Sequence, residues 1–181
     1  MPEVHGRSDS GRNQSLTPTG SQPERVPSTV CHPQGVAEPV RALTSATLGA
    51  WLVKASGAAP STREHVRAGF AGVGTWCVRP TYRTDLVAAG QPVLLWVSGS
   101  EPGLPAGIHA RGRTTGPAAD GVMPVVLVPL AEPLLRAELL AHPVLSSLEV
   151  LRMPAGSNPS YVTPEQLDAL VELDEEIARP A

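Results

Sequence analysis

Pro92-Val93-Leu94-Leu95-Trp96-Val97-Ser98 is the stretch that decides the fold class. Five of its seven side chains form an unbroken apolar run, the run is too short for a helix, and Gly90 and Gly99 flank it with turn chemistry. Such a segment reads as a buried strand. Two similar runs precede it, Ala50-Trp51-Leu52-Val53-Lys54 and Thr75-Trp76-Cys77-Val78-Arg79. After it, Gly107 to Thr115 alternates, with His109, Arg111 and Arg113 on one side and Ile108, Ala110 and Gly112 on the other. That pattern predicts a strand with one wet, basic face. Val122 to Leu130 is a further apolar strand, and Glu149-Val150-Leu151 is expected to be a short last one.

Helices are expected at Ser61–Ala68, Pro133–Ala141 and Thr163–Ala178. In the last, Thr163 can cap, Pro164 suits the first helical position, and Gln166 completes a capping box. Leu167, Leu170, Val171 and Ile177 then form a stripe for packing, with Glu172, Asp174, Glu175 and Glu176 toward water. Five or six short strands with peripheral helices predict an α+β fold, a small and partly closed mixed β-barrel. The domain is expected over residues 48–178, with 179–181 as a tail.

Residues 1–47 differ in kind. They hold Ser, Thr, Pro, Gly and Gln, four acids, four arginines and no aromatic residue. Too little apolar surface is present to offset an ordering cost of roughly 1–2 kcal/mol per residue. The segment is expected to be a disordered arm, or upstream sequence annexed by a misassigned start. Arginine in place of all but one lysine, with 20 Pro and 17 Gly, is the bias of a GC-rich genome such as an actinobacterial one.

The net charge of -3 lacks the strong basic excess of proteins that coat nucleic acid by bulk attraction. Charge is not uniform, however. Residues 165–181 hold six acids against Arg179, whereas residues 46–164 hold nine Lys and Arg against seven acids. No run of 18 apolar residues is present and no basic patch leads into an apolar stretch at Met1, so neither a membrane span nor a secretory leader is expected. Cys31 and Cys77, without CxxC spacing, indicate neither a disulfide framework nor a zinc site, which points to the cytoplasm.

Only six aromatic side chains are present, and three are Trp. Trp51, Trp76 and Trp96 fall one in each of the first three strands, where they could be core anchors or the walls of a pocket for a planar ligand. Strict alternation would set Ser98 on the face of Trp96, a hydroxyl beside an aromatic wall. Lys54, Arg79, Arg83, Arg111 and Arg113 flank the same strands. They suit either phosphate contacts or an ordinary solvated face. Ser157 and Asn158, in the turn before the last helix, could meet a ligand edge or bond their own backbone.

Catalytic patterns are weak by comparison. Cys77 lies within an apolar run, where a structural thiol is expected rather than a nucleophile paired with His109. Ser98 lacks a Gly-x-Ser-x-Gly elbow. Gly69 to Gly74 lacks the Lys-Ser/Thr ending of a phosphate loop. His65, His109 and His142 show no ligand spacing, so no metal and no cofactor are expected.

Taken in order, Ala50-Trp51-Leu52-Val53-Lys54, Trp76-Cys77-Val78-Arg79-Pro80 with Tyr82-Arg83, Gly90 to Gly99, Pro105-Ala106-Gly107-Ile108 and the Ser157-Asn158-Pro159 turn resemble an EVE domain. That family belongs to the PUA-like superfamily with YTH and ASCH domains, and the resemblance spans about Leu48 to Leu173. Commoner members resemble a pattern with Gly-Asp before the third strand and Tyr-His-Ser within it, where this chain has Gly90-Gln91 and Trp96-Val97-Ser98. The resemblance implies a PUA-like pseudobarrel whose pocket accepts a flipped, modified nucleobase, often a C5-modified cytosine in DNA. It implies no enzyme activity in this chain, and a separate nuclease or restriction partner would supply any cleavage. On this expectation Trp51, Trp76, Trp96, Ser98, Ser157 and Asn158 form the base pocket, and Lys54, Arg79, Arg83, Arg111 and Arg113 hold the nucleic-acid backbone. The alternatives are a module for a free nucleoside or other small molecule, and a reader of modified RNA bases.

Overall fold

A computed structural model of the protein describes residues 42–180. The decisive stretch lies in β3 (Pro92–Glu101), flanked by β4 (Leu104–Thr114) on one side and β1 (Ala50–Ser56) on the other. β1 and β3 run parallel, which requires the crossover carrying α1 (Pro60–Arg67) and β2 (Thr75–Cys77). β5 (Val122–Leu135) pairs antiparallel with both β4 and β2, and β6 (Ser160–Val162) pairs antiparallel with β1. The order β2-β5-β4-β3-β1-β6 makes a six-stranded curled sheet, a half-barrel with short helices around it. This is the expected α+β pseudobarrel. Among the described residues, no helix is long and apolar enough to cross a membrane.

Both faces of the sheet are buried, and strand alternation divides the apolar residues between two cores. Trp51, Val53, Val93, Leu95, Ala110 and Met123 pack together inside the curl. Ala50, Leu52, Leu94, Trp96 and Ile108 face the other way. There they meet Leu139 of α2 (Arg136–Ala141), Val150 and Leu151 of α3 (Glu149–Arg152), and Ala169 and Leu170 of α4 (Pro164–Leu173). Burial on both sides explains why β1 and β3 read as continuous apolar runs. Gly112 permits the close approach of β5, because a Cβ there would collide with the Val126 carbonyl oxygen.

Several expectations need correction. Glu149–Leu151 is helical, and the last strand is Ser160–Val162, directly after a cis Asn158–Pro159 bond. β5 continues to Leu135, so Pro133 is in a strand rather than a helix. The β4–β5 register shifts between Ile108 and Ala110, and such an irregularity accommodates prolines that cannot donate to the ladder. The terminal helix ends at Leu173, after which Glu175–Ala178 forms a 3₁₀ turn capped by Asp174. Its start is as expected, with Thr163 and Gln166 closing a capping box.

Packing extends upstream of the expected boundary at Thr47. Leu43 is buried inside the curl with Trp51, and Thr44 and Thr47 bond each other in the turn leading to β1. The expectation for residues 1–41, which include Cys31, lies outside the described residues.

Candidate functional site

An open sheet leaves the backbone of its edges unpaired, and here that problem shapes the site. β6 covers β1 only from Ala50 to Leu52, and past it β1 is linked to β2 across a seam by side-chain bonds. Asn158 closes it. Its Oδ1 accepts from the Lys54 amide at 3.0 Å, its Nδ2 donates to Cys77 O at 2.9 Å, and its backbone carbonyl accepts from the Arg79 amide at 2.6 Å. Trp76 Nε1 donates to Lys54 O at 3.3 Å, adding a fourth tie. Each bond satisfies backbone that would otherwise lack a partner at a strand end.

Lys54 is half-buried beneath the same loop, and its ammonium donates to Gly156 O and Pro154 O. Burial lowers its pKa from the usual lysine value, with the Glu149 charge opposing that shift. Ser157 is half-buried between these loop residues, and Arg79 is exposed beside them. Trp76 is half-buried, and the His65 ring stands 6.4 Å from it, tilted by 55°. The two rings therefore meet at an angle and do not form a parallel slot. Thus five of the expected site residues, Lys54, Trp76, Arg79, Ser157 and Asn158, meet at the seam.

The others are elsewhere. Trp51 is fully buried inside the curl, with its indole N–H committed to Gln91 Oε1 at 2.7 Å. Trp96 is 4% exposed and belongs to the core on the opposite face, so it cannot form a two-walled slot with Trp51 or Trp76. Both act as core anchors here, because a strand buried on two faces has no wet side on which to present them. Ser98 is exposed near the end of β3, where its hydroxyl donates to Ala55 O, and the β3–β4 register shifts between Leu95 and Trp96 and again after Val97. The hydroxyl beside an aromatic wall is not formed.

The basic face of β4 is also different from the expectation. His109 is 8% exposed, and its Nε2–H donates to Pro105 O at 2.7 Å. Burial lowers its pKa, against the bond to Pro105. Arg111 is 9% exposed and donates to Arg179 O and Pro180 O, while its Nε is buried without a partner. Arg113 is exposed and lines a cleft with Asp168, Leu167 and Val171 of α4. Arg111 and Arg113 thus lie with the C-terminal elements, away from the seam residues. The C-terminal tail over this face takes Arg111 into the interior, while Arg113 further along the strand stays exposed.

Arg83 is paired rather than available. Nη1 and Nη2 donate to Glu149 Oε2 and Oε1, both at 2.9 Å, and the guanidinium carbon is 5.1 Å from the centre of the Tyr161 ring. Burial would push the Glu149 carboxyl up, but hydrogen bonds from Arg83 and Ser160 and the charges of Arg83 and Lys54 hold it below the ordinary carboxylate range. The pair forms part of a cleft of about 760 Å³ with Tyr82, Arg152 and Met153. The sequence does not reveal this cleft, since it brings Glu149 of a short helix and Tyr161 of a three-residue strand against Arg83, 66 positions before the first of them. Cys77 was expected to be buried, yet it is exposed on the short edge strand.

The fold is shared with solved structures. A hypothetical protein from Leishmania major superposes with a TM-score of 0.56 at 15% identity, over 73% of this chain and 98% of that one. A solution structure of a Rhodopseudomonas palustris protein gives 0.52 at 19% identity, over 71% and 94%. A crystal structure from Pseudomonas putida gives 0.52 at 20% identity, over 68% and 97%. Likeness at such identities establishes the architecture and leaves function to be argued from the site. The chain matches no family model and no curated protein sequence.

Proposed function

We propose that the protein is a non-catalytic, cytoplasmic reader of the EVE type that accommodates a flipped, modified nucleobase at the β1–β2 seam. A C5-modified cytosine in DNA is the first candidate for that base. The observation that carries the reading is Trp76. Of the three Trp, it alone keeps an accessible ring, and that ring stands beside half-buried Lys54, Ser157 and Asn158 with exposed Arg79 alongside. The base stacks on Trp76, its polar edge meets Ser157 and the Lys54 loop, and Arg79 contacts a neighbouring phosphate.

Magnitudes allow this division of roles. Extruding a base costs a few kcal/mol, and stacking on an aromatic ring returns about 1–3 kcal/mol. One Trp wall therefore roughly breaks even, and selectivity comes from the polar groups and the fit around the modification. Any cleavage of modified DNA is the work of a separate nuclease or restriction partner.

The test is a titration of the full chain against matched DNA duplexes with cytosine, 5-methylcytosine or 5-hydroxymethylcytosine at one position, and against RNA of the same sequence. Tighter binding of a modified DNA duplex, weakened by Trp76→Ala, is the expected result. Binding of a free nucleoside without affinity for either strand would replace this reading with a small-molecule module, and preference for the 2′-hydroxyl strand would replace DNA with RNA.

A further inference from the structure

The cleft around Arg83 and Glu149 is separate in composition from the seam residues and has the features of a second ligand site. Its volume, about 760 Å³, lies within the usual range for small-molecule sites. Two of the four large apolar side chains most exposed on the described surface, Tyr82 at 55% and Met153 at 59%, line it. Three charged side chains line it as well, Arg83 and Arg152 against Glu149, which leaves an excess of one positive charge.

The arrangement of Arg83 specifies what would fit. Its two-bond fork with Glu149 fixes the plane of the guanidinium, and Ser160 Oγ, donating to Glu149 Oε2 at 2.5 Å, fixes the carboxylate in turn. Tyr161 lies against the guanidinium at 5.1 Å. A flat, pre-oriented cation supported by an aromatic ring is a platform on which a heteroaromatic ring stacks, because guanidinium planes and rings attract through both dispersion and charge. Arg152, exposed at the end of α3, is placed to receive an anion.

We infer that this cleft is a nucleotide-binding site, with the base laid on the Arg83–Tyr161 stack and the phosphate held by Arg152. Tyr82 and Met153 cover the outer side of the base. The nucleotide has two sources with the same chemistry, a free mononucleotide or a nucleotide of a bound strand. The site does not depend on the seam being a modified-base pocket.

The full chain, labelled with ¹⁵N, is titrated with AMP and separately with an unmodified single-stranded DNA pentamer. Saturable shifts at the amides of Arg83, Met153 and Tyr161 are expected, weakened at least tenfold in Tyr82→Ala/Arg152→Ala and unchanged in Trp76→Ala. Both residues of the double variant are exposed, so it should fold, and Arg83→Lys provides a second variant that keeps the charge but loses the planar fork. Tighter binding of the pentamer than of AMP assigns the site to a nucleotide of a strand, and equal binding assigns it to a free nucleotide. Absence of shifts with both ligands at millimolar concentration, or shifts that persist unchanged in the double variant, would overturn the inference. Failure of the seam reading has a different signature, loss of modification preference with the cleft shifts intact.

Discussion

The β1–β2 seam and the outer face of β4 both carry basic residues next to strands, and the sequence treats them alike. The structure separates them. At the seam, a single asparagine spans the gap and leaves Trp76 and Arg79 accessible. On β4, Arg111 is buried and bonded to the carbonyls of Arg179 and Pro180. Alternation along a strand tells which side chains share a face, but whether that face is wet depends on elements far away in sequence. The same rule separates the tryptophans, since Trp51 and Trp96 are held inside two cores and Trp76 is at the rim.

The largest effect should come from the cores. Trp51→Ala or Trp96→Ala should cost about 3–5 kcal/mol of stability in urea denaturation, the usual loss for truncating a buried aromatic residue. Ligand affinity per folded molecule should stay unchanged for Trp96→Ala, and a selective loss of affinity there would move the site back to the outer face.

Next in size is the Arg83–Glu149 pair, which is one-fifth exposed on each side. Glu149→Gln should lower stability by about 1.5–3 kcal/mol, the range for hydrogen bonds to charged groups. Because the folded-state pKa of Glu149 is depressed, its contribution is present above the unfolded value and is lost as pH falls through the folded one. His109 acts earlier in an acid titration. Its folded pKa is lowered, so the unfolded chain binds a proton first, and stability begins to fall below about pH 6.5. Urea midpoints measured from pH 8 to 3 should therefore decline in two stages. Only the upper stage should disappear in His109→Gln, and only the lower in Glu149→Gln.

How much of this was legible in the sequence follows from which interactions are local. The apolar runs of β1, β3 and β5 and the Thr163–Gln166 cap are written in neighbouring residues, and they were read correctly. Glu149–Leu151 is too short for periodicity to tell helix from strand, and β6 has three residues. The role of Asn158 was visible only as a turn residue, because its partners Lys54 and Cys77 are 104 and 81 positions away. The burial of Arg111 depends on a tail 68 residues downstream. Lys54, Arg79, Ser157 and Asn158 meet at the seam, whereas the sequence divides them between a base pocket shared with Trp51 and Trp96 and a backbone-contact set shared with Arg83 and Arg111, because the loop that joins them closes over distances no local pattern records.

The smallest predicted effect separates the two basic regions directly. Arg79→Ala should reduce the salt dependence of DNA binding by about 0.7–0.9 in the log–log slope, the contribution of one phosphate contact. Arg113→Ala, on the face with α4, should leave the slope unchanged. Equal reductions would mean that nucleic acid reaches both regions.

The most direct test of the seam is the affinity of Trp76→Ala, measured beside Trp96→Ala, for a duplex with one modified cytosine, each normalised to its folded fraction. Losing about 1–3 kcal/mol of stacking should weaken Trp76→Ala by roughly 5- to 150-fold, with Trp96→Ala binding like the unaltered protein. Unchanged binding by Trp76→Ala would contradict the account.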